Sequence, residues 1–194
     1  IQEEGLSQED AITKDILEYM QDSGDIFEPE LCHFKTRGLK INAYDYNDDN
    51  ETLDLFVSIP KLDLGKVNDQ LINSAFEKIH KFYIESRDGK LLNKVDEAEE
   101  NVFDLVQIIQ QTKSIVKNVR LFVLTNGRCT SFETPRDREE DGIYIDYELW
   151  DIERIYQQYQ IKAGKQRIEI DFLTDFNYKL RCLKMEDISE NVDE

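Results

Sequence analysis

Two short stretches of alternating apolar and polar residues, joined by an acidic turn, constrain the fold of this chain more than any other feature. Apolar residues recur at every second position over 39–43 and again over 53–59, and the sequence NDDN occupies positions 47–50 between them. Such alternation, bounded by Asn and Asp, predicts a β-hairpin with one buried face. Residues 31–36 predict a preceding strand, and Pro60 ends the last one because proline cannot donate to a β-ladder.

Periodicities in the rest of the chain predict an α/β fold in which helices flank a mixed β-sheet. Apolar residues at helical spacing predict helices over about residues 7–23, 66–86, 95–114 and 152–159. Further strands are predicted at 119–124, 143–149 and 168–172. The run VRLFVL at 119–124 is apolar on both faces, which is typical of an interior strand covered on both sides. The predicted order is α-βββ-α-α-β-β-α-β, with the charged segment 133–142 as an exposed loop.

Composition is typical of a folded protein with one domain. The chain has 194 residues, of which 40% are hydrophobic, and this is enough for a substantial core. Residues 1–172 are predicted to form the single domain. Residues 173–194 end in the acidic stretch MEDISENVDE and are predicted to be an arm or linker to a downstream region. The chain is therefore interpreted as part of a longer protein.

The expected location is the cytoplasm. No long apolar run predicts a membrane span, and no basic stretch followed by an apolar one predicts secretion. Cys32, Cys129 and Cys182 are odd in number and widely spaced, so reduced structural thiols are the expected state. We therefore expect neither a membrane partner nor a framework of disulfides.

The charge balance favours protein partners over nucleic acid. The chain carries 42 acidic residues and 24 Lys or Arg residues, for a net charge of −18. Because phosphates dominate nucleic-acid binding, such a chain is repelled by a polyanion unless its basic residues cluster. The densest basic group in the sequence is Lys35, Arg37 and Lys40. The expected partners are a downstream domain of the same chain, a second copy in a homo-oligomer, or another protein.

Several stretches of the sequence resemble the N-terminal domain of the abortive-infection phage-resistance family of bacterial proteins. They are FKTRGLKINAY at 34–44, LDLFVS at 53–58, VRLFVLTNG at 119–127 and YELWDIERIY at 147–156, and IEIDF at 168–172 follows in the expected order. The resemblance covers about residues 6–172, and the order of elements is also similar to the restriction-endonuclease-like core. It implies a role in antiphage defence and a larger C-terminal region, but no defined reaction.

The second resemblance makes two acidic residues of the hairpin, Asp45 and Asp54, candidate metal ligands. A nuclease of that class holds Mg²⁺ with such acids, and a lysine two residues after the second acid helps to position or deprotonate water. That position is Phe56, whose ring cannot do so. Lys61 lies beyond the end of the strand, and Glu9 or Glu18 on the first helix could add a ligand.

Each of these residues also has a structural explanation. Asp45 can start the acidic turn through bonds from its carboxylate to the backbone. Trp150, between a strand and a helix, is expected to be a packing anchor. A place in a protein interface is the weaker hypothesis for Trp150, and also for Phe56. The sequence contains no Gly-x-Ser-x-Gly elbow, no glycine-rich phosphate loop and no zinc-type cysteine pairs.

The sequence therefore predicts a non-catalytic interaction or scaffold domain without a metal or other cofactor. The alternative is a metal-dependent nuclease in which Asp45, Asp54 and Lys61 act with Mg²⁺, or in which the missing lysine comes from a downstream region. Convergence of the two carboxylates and a lysine amine in one pocket would favour the nuclease. Packing of Phe56 over that pocket would favour the scaffold.

Overall fold

The computed structural model describes residues 7–62, 65–95, 100–130 and 132–162. Within these residues the chain forms four helices and six strands. The helices are α1 (Gln8–Ser23), α2 (Asp69–Arg87), α3 (Glu100–Thr112) and α4 (Ile152–Lys162). The strands are β1 (Glu30–Thr36), β2 (Leu39–Asn47), β3 (Thr52–Ile59), β4 (Asn118–Thr125), β5 (Arg138–Glu140) and β6 (Ile143–Trp150).

All six strands belong to one mixed sheet with the order β1-β2-β3-β4-β6-β5. The strands β1, β2 and β3 are antiparallel neighbours, and β4 runs parallel to both β3 and β6. The short β5 pairs antiparallel with β6 at the edge. This arrangement confirms the predicted α/β class, and it places the hairpin in the same sheet as the interior strand β4.

The strand β4 is apolar on both faces because each face packs against helices. Val119, Leu121 and Val123 belong to a large apolar cluster that includes buried residues of α2 and α3. Phe122 belongs to a smaller cluster built with α1. Since side chains alternate along a strand, Arg120 shares the face of Phe122 and points to the side of α1. A cation therefore lies on the face that α1 covers.

Local signals fix both ends of α1. The Ser7 hydroxyl accepts the N–H of Asp10 at 3.1 Å, and Gly24 ends the helix with a left-handed φ of 78°. Met20 and its neighbours on the buried face pack against the sheet. The helix thus holds Glu9, in its first turn, and the loop that follows Gly24 at fixed places along the same face of the sheet.

The prediction that residues 133–142 form an exposed loop is wrong in part, because Arg138–Glu140 forms β5. Asp141 and Gly142 between β5 and β6 have positive φ angles of 51° and 79°. Two successive residues with positive φ make the type I′ turn of a tight hairpin, for which Asp-Gly is a strong signal. The dense charges concealed the strand, whereas the Asp-Gly pair could have revealed it.

The chain divides into two compact units, residues 1–157 and 158–194. The sheet and the first three helices belong to the first unit. The predicted strand at 168–172 and the predicted arm at 173–194 lie outside the described residues, so the boundary at 172 stays a prediction. Among the residues that the structure describes, no helix is both long enough and apolar enough to cross a membrane.

Candidate functional site

The two acidic residues predicted from the hairpin lie directly opposite each other. Asp45 on β2 pairs with Asp54 on β3 in the antiparallel register, and each residue is 3% exposed. Phe56, two residues after Asp54, packs in the cluster with α1, so Asp54 shares that face. The structure therefore brings together the two carboxylates that the alternative nuclease hypothesis requires.

Arg120 neutralises Asp54 from the neighbouring strand. Its Nε donates to Oδ1 of Asp54 at 2.7 Å and its Nη2 donates to Oδ2 at 2.5 Å, a two-bond contact with a fixed geometry. The same Nη2 donates to the backbone oxygen of Asp25 at 3.1 Å, and the guanidinium lies 5.2 Å from the centre of the Phe122 ring. Sequence reasoning missed Arg120, although it is the one charged residue in VRLFVL.

Asp45 holds the loop that follows α1. Its carboxylate accepts the backbone N–H of Phe27 at 2.6 Å and that of Glu28 at 3.2 Å. The interpretation of Asp45 as the start of the acidic turn is therefore wrong. Asn47 has that role, because its Oδ1 accepts the N–H of Asn50 at 3.0 Å. The buried charge of Asp45 is stabilised by backbone donors.

A core residue, Phe56, occupies the position at which the hypothetical nuclease has its lysine. Phe56 is fully buried and its ring stacks on Phe122 with centroids 4.8 Å apart. Lys61 follows the C-terminal end of β3, and its backbone forms two hydrogen bonds with the side chain of Asn126. Asp54 lies five residues before Ile59, the last residue of β3. At the usual rise per residue, the two residues are about 17 Å apart. The structure therefore does not bring Lys61 to the carboxylates.

The Asp45 and Asp54 carboxylates do not fit a magnesium ion. Mg²⁺ requires an octahedron of oxygen ligands, and the Asp54 oxygens are engaged by Arg120, whose positive charge repels a second cation. The Asp45 oxygens are engaged by backbone N–H groups. Within the described parts of the chain, no group of three or more His, Cys, Asp or Glu side chains could hold a metal ion.

Two carboxyl groups near Arg120 have strongly raised pKa values. Burial raises the pKa of Asp54 to about 6, because the lost hydration outweighs the stabilising contact with Arg120. Burial and a hydrogen bond with Asp137 raise the pKa of Asp146 on β6 to about 6. Holding Asp54 ionised in this environment therefore costs folding free energy at neutral pH.

This cost predicts the pH dependence of an Asp54→Asn variant. The folded pKa of about 6 lies above the ordinary value of 3.8, so the contribution of Asp54 to stability is present below 3.8 and is lost as the pH rises through 6. Relative to the variant, the unmodified chain should lose about 1 to 2 kcal/mol of unfolding free energy between about pH 5 and about pH 7.5. Urea unfolding at both pH values measures this difference. A difference of opposite sign would contradict the assigned cause.

A cleft of about 790 Å³ opens beside these residues. It lies at the end of the sheet where the β2–β3 turn meets the first residues of β4 and β6, with the loop after α1 as its wall. Its charged lining residues are the carboxylates Asp25, Asp45, Asp54 and Asp146 and the guanidinium of Arg120. We call this the acidic cleft. Phe27 and Tyr144 also line it and are 66% and 47% exposed.

A second polar cluster lies at the other end of β2, and sequence reasoning missed it. Lys40 Nζ donates to Oε1 of Glu9 at 2.7 Å and to the backbone oxygen of Ser58 at 2.6 Å. Asn42 also donates to Oε1 of Glu9, at 2.6 Å, and Thr13 shares a 2.6 Å hydrogen bond with Ser58. Glu9, considered as an extra ligand for the hairpin acids, thus binds an amine elsewhere.

The weaker interface candidates are both in the core. Trp150 is 1% exposed and belongs, with Phe56, to the cluster beneath α1. The guanidinium of Arg154 lies 4.6 Å from the centre of the Trp150 ring, and the indole N–H donates to Glu148 at 3.3 Å. Trp150 is therefore a packing anchor, as expected, and the rings of Trp150 and Phe56 are both buried.

A comparison with known protein families identifies the family of this chain. The model of the family described as the abortive infection phage resistance protein N-terminal domain matches residues 12–157 of the 194. No curated protein and no solved structure gives a significant match. The match confirms the resemblance carried by the four sequence stretches, whereas the restriction-endonuclease-like core stays a prediction.

Proposed function

The chain belongs to the family of abortive infection phage resistance N-terminal domains, and from this premise we propose that it is a non-catalytic interaction domain. Membership of the family gives the chain a role in abortive infection phage resistance. The proposed task of the domain is to dock its chain on a protein partner in that response. It retains the core of a restriction-endonuclease-like nuclease without its chemistry.

The contact between Arg120 and Asp54 carries this proposal. A nuclease site of this class needs carboxylate oxygens open to Mg²⁺ and a lysine beside the attacking water. Here a guanidinium engages both oxygens of Asp54, and a buried ring occupies the position of the lysine at Phe56. These features suit a site that serves folding and recognition.

The proposed partners are proteins in the cytoplasm. The net charge of −18 favours protein partners over nucleic acid. A downstream domain of the same chain, a second copy and a phage or host protein are the candidates. The buried free thiols of Cys32 and Cys129 suit a reducing compartment. Recovery of the tagged protein outside the cytoplasmic fraction of cells would contradict the location.

One observation favours a second candidate function, a metal-dependent nuclease with a displaced lysine. The carboxylate of Glu9 and the amine of Lys40 meet between α1 and β2. Lys40 donates to Ser58 near the C-terminal end of β3, so, like Lys61, it lies away from Asp54. Such an enzyme would therefore act through Glu9 and Lys40 and not through the two hairpin acids. Burial lowers the pKa of Lys40 more than the contact with Glu9 raises it. An amine with a lowered pKa is suited to proton transfer.

The purified chain is expected not to cleave DNA or RNA in the presence of Mg²⁺ or Mn²⁺. The physical reason is the absence of open oxygen ligands at Asp45 and Asp54. Gel assays with single-stranded and double-stranded substrates measure cleavage, with Asp54→Asn and Lys40→Met as matched variants. Metal-dependent cleavage lost in Asp54→Asn would overturn the proposal at the hairpin site. Cleavage lost only in Lys40→Met would assign the activity to the contact of Glu9 with Lys40.

A further inference from the structure

A patch of basic side chains lies at the end of β2 opposite the acidic cleft. Lys35, near the end of β1, and Arg37, in the turn between β1 and β2, are both exposed. A Cβ atom at Gly38 would lie 3.6 Å from Nζ of Lys81 on α2. Lys78, also on α2, lies close enough to Lys40 that its charge, together with that of Lys35, contributes to lowering the pKa of Lys40, after burial as the main cause.

Lys35, Arg37 and Lys78 lack an ion partner within the described residues, whereas Lys81 is paired with Glu85. Glu9 and Glu85 are already paired with Lys40 at 2.7 Å and Lys81 at 3.7 Å. With 42 acidic residues against 24 basic ones, unpaired neighbouring cations are unexpected and repel one another. Lys35, Arg37, Lys78 and Lys81 form what we call the basic patch, and it suits an anionic partner.

The acidic cleft has the complementary properties. Of the four carboxylates in its lining, Asp45 and Asp54 are buried and already engaged, so Asp25 and Asp146 are the two that a partner can reach. Asp25 forms no ion pair with another described residue. Two aromatic residues of the lining, Phe27 and Tyr144, are 66% and 47% exposed. Such rings bind the alkyl chains of Lys and Arg and attract their charged ends. The cleft therefore suits a basic protein surface with long side chains.

We propose that a second copy of this chain supplies that surface, so that the basic patch of one copy docks in the acidic cleft of the next. A second copy is the proposed partner because every molecule of this chain carries both complementary surfaces, the basic patch and the acidic cleft. The two surfaces lie at opposite ends of β2, about 23 Å apart from Lys40 to Asn47. Such a contact closes as a two-fold dimer when each copy's patch meets the other's cleft, and it gives a ring or a filament when it repeats head-to-tail. This inference rests on the proposed interaction function and names its partner.

The net charge of −18 does not prevent this association. At physiological ionic strength, exposed charges more than about 8 Å apart are largely screened, whereas charges in direct contact are not. Residues in the contact therefore feel the local complementarity more than the overall repulsion. For the same reason, added salt is expected to weaken the association, since it screens the attraction between the patch and the cleft.

Sedimentation velocity of the full 194-residue chain tests the proposal. One variant reverses the basic patch with Lys35→Glu and Arg37→Glu, and another reverses the cleft with Asp25→Lys and Asn118→Lys. All four side chains are exposed, so folding should be retained, which circular dichroism checks. A control, Lys66→Glu with Lys113→Glu, makes the same change in charge as the patch variant, at exposed positions outside both surfaces.

The unmodified chain and the control should associate as protein concentration rises at low salt. Each charge-reversed variant alone should associate about a hundredfold more weakly or worse, because like charges then meet. A mixture of the two variants should associate again, since each supplies one native surface. The proposal is overturned if the unmodified chain stays monomeric, if the control loses association equally, or if the mixture fails to associate. Cleavage of nucleic acid, which would refute the proposed function itself, is a separate readout.

Discussion

A Phe56→Lys variant, which places a lysine where the hypothetical nuclease requires one, is expected to unfold. Phe56 is fully buried and its ring stacks on Phe122 at 4.8 Å, so the ammonium would enter the apolar cluster beneath α1. Burying an unpaired charge and losing the ring should lower the free energy of unfolding by more than about 4 kcal/mol. Loss of the near-ultraviolet circular dichroism signal at room temperature is the measurement.

A milder substitution makes the effect measurable. Phe56→Ala removes the ring without adding a charge and should cost about 3 to 5 kcal/mol in urea unfolding. The control is Phe27→Ala, at a ring that is 66% exposed, which should change stability by less than about 0.5 kcal/mol. A Phe56→Lys chain that stays folded and cleaves DNA with Mg²⁺ would refute the interpretation of Phe56 as a core residue.

The parts of the fold that the sequence predicts are those set by short-range patterns. The hairpin follows from period-two alternation on either side of Asn and Asp residues, and the structure has β2 and β3 where that alternation lies. The interior place of β4 follows from its two apolar faces. The start of α1 follows from the cap at Ser7. Each signal lies within about ten residues of chain.

The contacts that define the candidate site are not visible in such patterns. Arg120 and Asp54 are separated by 66 residues, and Lys40 and Glu9 by 31. Their partners depend on which strands become neighbours, and spacing along the chain does not specify that. The parallel pairing of β3 with β4 puts Arg120 directly beside Asp54 in register. An isolated charge in an otherwise apolar interior strand is the one sequence signal that a buried partner exists.

The sheet order also changes the meaning of the scattered basic residues. In the sequence, Lys35 and Arg37 form a small group, and Lys78 lies about forty residues further along the chain, on α2. The packing of α2 on the sheet brings its lysines to the β1–β2 turn. A net charge of −18 describes the chain as a whole, whereas binding depends on the charges within a Debye length of the contact. The basic patch is thus a property of the fold.

Replacing Arg120 by methionine is expected to destabilise the domain strongly, and a second substitution should reverse the loss. The carboxylate of Asp54 is 4% exposed, and without Arg120 it becomes a buried charge with no cation beside it. We expect a cost of about 3 kcal/mol at about pH 8, or roughly 6 to 12 °C in melting temperature. The cost should shrink toward about pH 5, because Asp54 then binds a proton in the folded state.

The double variant Arg120→Met with Asp54→Asn separates charge from packing. If the loss comes from an unpaired buried carboxylate, then the neutral amide at position 54 should restore stability to within about 1 kcal/mol of the unmodified chain. The matched control is Arg154→Met, since Arg154 also contacts an aromatic ring and a carboxylate. That carboxylate, on Glu148, is 21% exposed, whereas the carboxylate of Asp54 is 4% exposed. Arg154→Met should cost about 1 kcal/mol or less. If the double variant is as unstable as Arg120→Met alone, Arg120 acts through its contacts with Phe122 and the Asp25 backbone, and the pairing with Asp54 is not what keeps this site closed.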